Sequence, residues 1–335
     1  MHNQEIYYGA PGTGKSHKVK DTLLNNVPQS KVFRVTIHPE FTYSDFIGQL
    51  LPEQTAGGIT FKFHRGPFTE ALVEAYADTS EEVFLVLEEL SRGNVAAIFG
   101  DVFQLLDRNE YFESEYSINN KAIAVELNQA TNEIKLPSNL NIIGTVNIND
   151  QNVFPMDTAF KRRFDWKYVS THPEMGTTSF NKELNNPLIP INYSSRDFEV
   201  NWLSFYSALN KFITDKTDGL GKKEDKQLGQ FFIKFTEKEI WNSNSDTTKN
   251  PNYSSNDKKT AQESIIEKLR NKLLLYLWQD VQGLNGFGSS TSLFTDTITN
   301  FDTLYEYFGT EQVFSDDFLD KFLSSPADRK RYSYS

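Results

Sequence analysis

The octapeptide Gly9-Ala10-Pro11-Gly12-Thr13-Gly14-Lys15-Ser16 begins just after the short run EIYY. That run reads as a strand, and KSHKVKDTLLNN beyond the glycines reads as a helix. A GxxxxGK[ST] stretch placed between a strand and a helix leaves few folds open. Its glycines let successive backbone N–H groups curl around an anion, and the helix N-terminus adds partial positive charge. Phosphate binding is the expected chemistry: Lys15 reaches the β- and γ-phosphates, and the Ser16 hydroxyl meets Mg²⁺. The candidate nucleotide-contacting residues are Gly9, Ala10, Pro11, Gly12, Thr13, Gly14, Lys15, Ser16 and His17.

A second motif, FLVLEEL at 84–90, is an apolar run ending in two acids. A buried strand that throws carboxylates from its C-terminal end suits the other half of such a site. Glu88 is the candidate metal residue, and Glu89 the one that orients or deprotonates attacking water. A third run, IIGTVNIND at 142–150, ends a buried strand on Asn147, whose amide is placed to hold that water or the γ-phosphate. In MDTAFKRRFDW at 156–166, Asp157 caps a short helix and Lys161-Arg162-Arg163 crowd its end. These cations suit the helix dipole, or one of Arg162 and Arg163 is an arginine finger reaching a neighbouring subunit's γ-phosphate.

Strands at EIYY, VFRVTI, EEVFLVLEE and NLNIIGTVNI alternate with helical patterns. That predicts an α/β fold: a parallel sheet sandwiched by helices and wound by right-handed crossovers. FTYSDFIGQL reads as a short helix capped by Thr42 or Ser44, GITFKFHRGPF as a hairpin arm, and 94–107 as one amphipathic helix. After about residue 170 the pattern turns mostly helical. The expected division is a nucleotide-binding core at 1–170 and a smaller helical lid at 171–335, with a mobile polar loop near 242–260. Acids outnumber Lys plus Arg by 45 to 34, a net charge of −11, which repels nucleic acid on average. DNA, if it is a target, is then met by a local basic strip or by another subunit. With no cysteine there is neither disulfide nor thiolate metal site, and five scattered His do not form a zinc pattern. No apolar run approaches the ~20 residues of a membrane helix, so no membrane partner is expected and the cytoplasm is the default location.

The order of the phosphate loop, VLEELSRGNVAAIFGDVFQLLD, LPSNLNIIGTVNINDQN and MDTAFKRRF resembles the AAA+ superfamily, and within it the McrB-like NTPases of modification-dependent restriction systems. Upstream, IHPEFTYSDFIGQLLP and RGPF are similar to family signatures, and QLGQFF at 227–232 sits where relatives have a sensor-2-type segment. The likeness covers roughly residues 5–170 and extends weakly beyond. It implies a ring, commonly hexameric, with nucleotide between subunits. It also implies GTP hydrolysis and a separate McrC-like nuclease that acts on DNA. There are departures: Glu88 stands where most relatives have Asp, Val146, Ile148 and Asn149 replace M, T and A, Gln151 replaces an arginine, and Gln230 stands for a frequent histidine. Relatives usually carry a DNA-reading domain ahead of the loop; without one, that task falls to another protein, or the chain is a fragment. The expected function is a Mg²⁺-dependent GTPase or ATPase motor of an anti-phage restriction complex. A MoxR-like ATPase remodelling protein complexes and a nucleotide-gated scaffold with little hydrolysis are the alternatives.

Overall fold

The computed structural model describes residues 2–55, 57–147, 154–173, 185–246, 252–282 and 291–323. It divides into two units: Met1–Gly9 with Lys15–Val169, and Ala10–Gly14 with Ser170–Ser335. The five residues Ala10–Gly14 thus pack with the second unit.

The first unit is built on a parallel five-stranded sheet. Its strands are β1 (Gln4–Gly9), β2 (Val32–Thr36), β5 (Val83–Glu88), β8 (Leu140–Asn147) and β9 (Asp165–Tyr168), in the order β2-β5-β8-β1-β9. The continuous apolar runs are explained by burial on both faces. Along β5, Val83, Leu85 and Leu87 enter one apolar cluster, whereas Phe84 and Val86 enter another with Tyr7 and Ile143. Register brings three polar strand ends together: Gly9 pairs with Asn147, and Leu87 pairs with Gly144. The starts of β1 and β8 are pinned by Arg108. Its guanidinium donates to Gln4 Oε1 at 3.0 Å and to the Leu140 carbonyl at 2.9 Å, and burial lowers its pKa to about 9.

One hairpin and one further antiparallel strand pair lie outside this sheet. β3 (Gly48–Thr55) pairs antiparallel with β4 (Gly58–Arg65), and β6 (Ile118–Asn119) with β7 (Glu133–Ile134). The helix before β3, Tyr43–Ile47, starts at a capping box between Thr42 and Asp45. The single helix expected over 94–107 is broken. An α-helix runs Val95–Phe99, and a 3-10 helix runs Gly100–Leu106. Gly100 has φ +50°, and the Tyr43 ring lies 2.8 Å from where its Cβ would be, so only glycine fits the break.

The second unit gathers its core around the helix Trp202–Thr214, with Trp202, Phe205 and Tyr206 fully buried. An antiparallel hairpin, β10 (Leu188–Tyr193) with β11 (Arg196–Asn201), precedes that helix. The polar stretch 242–260 is shorter as a loop than its composition indicates. One helix extends to Ser243, and the next runs Ser255–Lys268, its first turn capped by Ser254 and Asp257. Residues 247–251 of that stretch lie outside the described residues. Among the described residues, no helix is long and apolar enough to cross a membrane.

Candidate nucleotide-binding and hydrolysis site

β1 ends at Gly9, and the Lys15–Val19 helix begins six residues later. Lys15 is buried, and its ammonium donates to the Gly9 carbonyl at 3.2 Å. Burial lowers its pKa to about 8, against an opposing pull from the Glu89 and Glu88 carboxylates. An amine kept dry beside two acids is poised to gain from a polyphosphate. The following Ser16 donates its hydroxyl to Glu88 Oε2 at 2.9 Å. His17 lies on the exposed side of its helix, 2.7 Å from Asp21.

Glu88 closes β5 and is held from three directions. Oε2 accepts from Ser16 and from Thr145 Oγ1, the latter at 2.5 Å, while Oε1 meets Arg34 Nη1 on β2 at 2.5 Å. Arg34 and Glu88 share a sheet face because Arg34 pairs with Val86, two residues before Glu88. The hydroxyl–carboxylate pair of Ser16 and Glu88 is a hard-oxygen set that suits Mg²⁺. Among the described residues no three His, Cys, Asp or Glu cluster. A cation at this pair would therefore take its other ligands from phosphate and water.

Glu89 leaves the strand in the left-handed conformation, φ 56° and ψ 39°. That is costly for a residue with a side chain and turns the second acid away from the first. Its N–H donates to Thr145 Oγ1 at 3.2 Å, and its carboxylate accepts from Asn147 Nδ2 at 2.8 Å to each oxygen. Arg92 Nε lies 3.4 Å from Glu89 Oε2. Glu89 and Asn147, on neighbouring strand ends, are thus bound to each other. Thr145 escaped the sequence reading, although it stands two residues before Asn147 and so on the same face of β8. This one buried hydroxyl binds both acids.

The two candidate finger arginines have different surroundings. Arg163 is nearly buried: Nη2 meets Asp107 Oδ2 at 2.5 Å, Nη1 donates to the Ala159 carbonyl, and the guanidinium lies 4.2 Å from the Phe103 ring centroid. Arg162 is exposed at the C-terminal end of the Thr158–Lys161 helix, and among the described residues no side-chain partner engages it. Asp157 caps that helix through the Phe160 N–H at 2.6 Å. Ile148, Asn149, Asp150, Gln151 and Asn152 lie outside the described residues.

Within the second unit, Gly12 and Gly14 have φ +76° and +86°, the left-handed turns that a phosphate loop requires. Thr13 Oγ1 donates to the Ala10 carbonyl at 3.0 Å. Backbone bonds also run from Gly229 N to Pro11 O at 2.9 Å and from Phe231 N to Gly12 O at 2.8 Å. These bring the QLGQFF segment against Ala10–Gly14.

The model of the AAA domain (dynein-related subfamily) matches residues 6–164. Component YdiS of the type II restriction enzyme BsuMI, from Bacillus subtilis, is 32% identical over 350 residues, covering 96% of this chain and 90% of that component. The EcoKMcrB subunit of the type IV methyl-directed restriction enzyme of Escherichia coli is 26% identical over 187 residues, 54% of this chain and 38% of that subunit. The chain belongs to the McrB-like AAA+ family. A solved structure from Cytophaga hutchinsonii aligns with this McrB-like protein at 18% identity and TM-score 0.33, over 50% of this chain and 42% of that one. The McrB-like chain is accordingly an NTPase related to restriction-system components.

Proposed function

We propose that the chain is a Mg²⁺-dependent nucleoside triphosphatase, GTP favoured over ATP, that assembles into a ring and drives a restriction complex containing a separate nuclease subunit. The observation that carries this reading is the pairing of Ser16 with Glu88 and of Asn147 with Glu89 at adjoining strand ends. One acid thus faces a hydroxyl suited to a metal, and the other is oriented by an amide. The preference for GTP and the hexameric ring come from the family likeness. A nuclease partner is supported by relatives that are parts of restriction enzymes. DNA is engaged through the complex, in keeping with the net charge of −11.

In this mechanism the Lys15 ammonium binds the β- and γ-phosphates. Ser16 and Glu88 would hold Mg²⁺, which when bound neutralises phosphate charge. Glu89, fixed by Asn147, aligns the attacking water and accepts its proton. Arg162 is the residue assigned to a neighbouring protomer's γ-phosphate, because Arg163 is already bound to Asp107. A finger supplied in trans makes turnover depend on assembly.

Phosphate release from GTP and from ATP, measured alongside sedimentation with and without nucleotide, tests the reading. Turnover should appear only where assemblies form, and Glu89→Gln should bind nucleotide without hydrolysing it. Full turnover by a dilute monomer would remove the trans step. Equal slow release by wild type and Glu89→Gln would favour the scaffold reading instead.

A further inference from the structure

Residues Leu228–Ile233 form no helix or strand, yet their backbone is closely held. Buried Asn210 donates to the Leu228 carbonyl at 2.7 Å and accepts from its N–H at 2.9 Å. Buried Trp202 donates to the Gln230 carbonyl at 2.8 Å, and buried Asn185 donates to the carbonyls of Gln230 and Ile233. Side chains that satisfy backbone groups in this way give an irregular segment the rigidity of a regular element. The segment directs two N–H groups, those of Gly229 and Phe231, at the carbonyls of Pro11 and Gly12.

A trans peptide is planar, and its C=O and N–H point in opposite directions. Fixing the carbonyls of Pro11 and Gly12 therefore fixes the N–H groups of Gly12 and Thr13 to point away from the segment. An accepting carbonyl also polarises its peptide and strengthens the N–H as a donor. Position 229 admits no side chain. A Cβ there would lie 2.4 Å from both the Cα and the N of Thr13, contacts with backbone that cannot swing aside. Likewise, a Cβ on Gly12 would lie 2.3 Å from Phe232 N.

We propose that Leu228–Ile233 is a rigid backing for the phosphate loop, and that Gly229 is a positioning residue that aims the Gly12 and Thr13 N–H groups at the nucleotide's phosphates. This rests on the NTPase reading and adds the source of the loop's preorganisation. Fluorescent non-hydrolysable GTP and ATP analogues provide the probe. Gly229→Ala should weaken binding of the preferred analogue roughly ten- to hundredfold, the loss of one or two hydrogen bonds to a charged group. Hydrogen exchange on the wild type is read in parallel. The Gly229 and Phe231 amides should be protected in the free protein and slowed further by the triphosphate, a response that a merely structural turn would not give. A folded Gly229→Ala that binds like wild type overturns the backing, as does exchange at those amides that ignores nucleotide. If Gly229→Ala does not fold, the exchange result decides. A wild type that binds neither analogue overturns the NTPase reading and this proposal with it. Wild-type binding matched by the variant overturns the backing alone.

Discussion

Replacing Thr145 by Val removes one hydroxyl and almost no volume. That hydroxyl is 2.5 Å from Glu88 Oε2 and 3.2 Å from the Glu89 N–H, in a residue only 3% exposed. The Glu89 N–H loses its acceptor, and an unsatisfied buried N–H costs about 1–3 kcal/mol. Glu88 keeps Ser16 and Arg34, so the second loss is partial. Together these give a destabilisation of roughly 2–3 kcal/mol. The effect on catalysis should be larger than the effect on binding. Glu89 is held at a left-handed φ of 56°, a conformation that costs on the order of 1–3 kcal/mol and that Thr145 helps to impose. Once released, the acid relaxes from its aligned position, and kcat should fall roughly ten- to hundredfold. Nucleotide affinity, which the proposed function does not assign to Thr145, should barely move. Thermal melting, analogue binding and steady-state phosphate release are measured on Thr145→Val and on Thr145→Ser, which keeps the hydroxyl. Wild-type turnover by Thr145→Val would refute the reasoning, as would a serine variant no better than the valine.

The same contacts make further predictions. Arg163→Ala should cost about 2–4 kcal/mol of stability because it leaves Asp107 and the Ala159 carbonyl without a donor, visible as a lowered melting temperature. Arg162→Ala should melt like wild type yet lose about 10³-fold or more in turnover, measured by phosphate release. In the second unit, burial pushes the Glu239 carboxyl up, but donors from Lys268, Ser264 and Thr236 outweigh it and hold the group below its ordinary value of 4.5. Its stabilisation is therefore complete above pH 4.5 and lost as pH falls through the lower folded value. Glu239→Gln should cost about 1–3 kcal/mol at neutral pH, and melting curves should converge with wild type in acid.

The parts of this molecule legible in the sequence are those written in consecutive residues. Gly9–Ser16, the acids ending FLVLEE, and Thr42 three residues before Asp45 each carry their geometry in local spacing. The alternation of Val83–Leu87 between two apolar clusters follows from strand periodicity alone. Contacts between distant segments could not be read. Arg163 and Arg162 are adjacent in sequence, and only the Asp107 carboxylate and the Phe103 ring separate their roles. Thr145 looks like any strand threonine until its neighbour strand places two acids beside it. Gly229 resembles a loop glycine until the backbone of Thr13 is found where its side chain would be. Two local signals were also outweighed: Gly100 inside a helical apolar pattern, and the Ser254–Asp257 capping box inside a polar run.

The central claim is that one protomer's Glu89 and another's Arg162 complete a single hydrolytic site. Mixing Glu89→Gln with Arg162→Ala, each nearly inactive alone, tests it most directly. In an equal mixture, sites with an intact acid in cis and an intact arginine in trans should arise at random and restore roughly a quarter of wild-type turnover. A mixture no more active than its separate components, although it co-assembles, would contradict the claim.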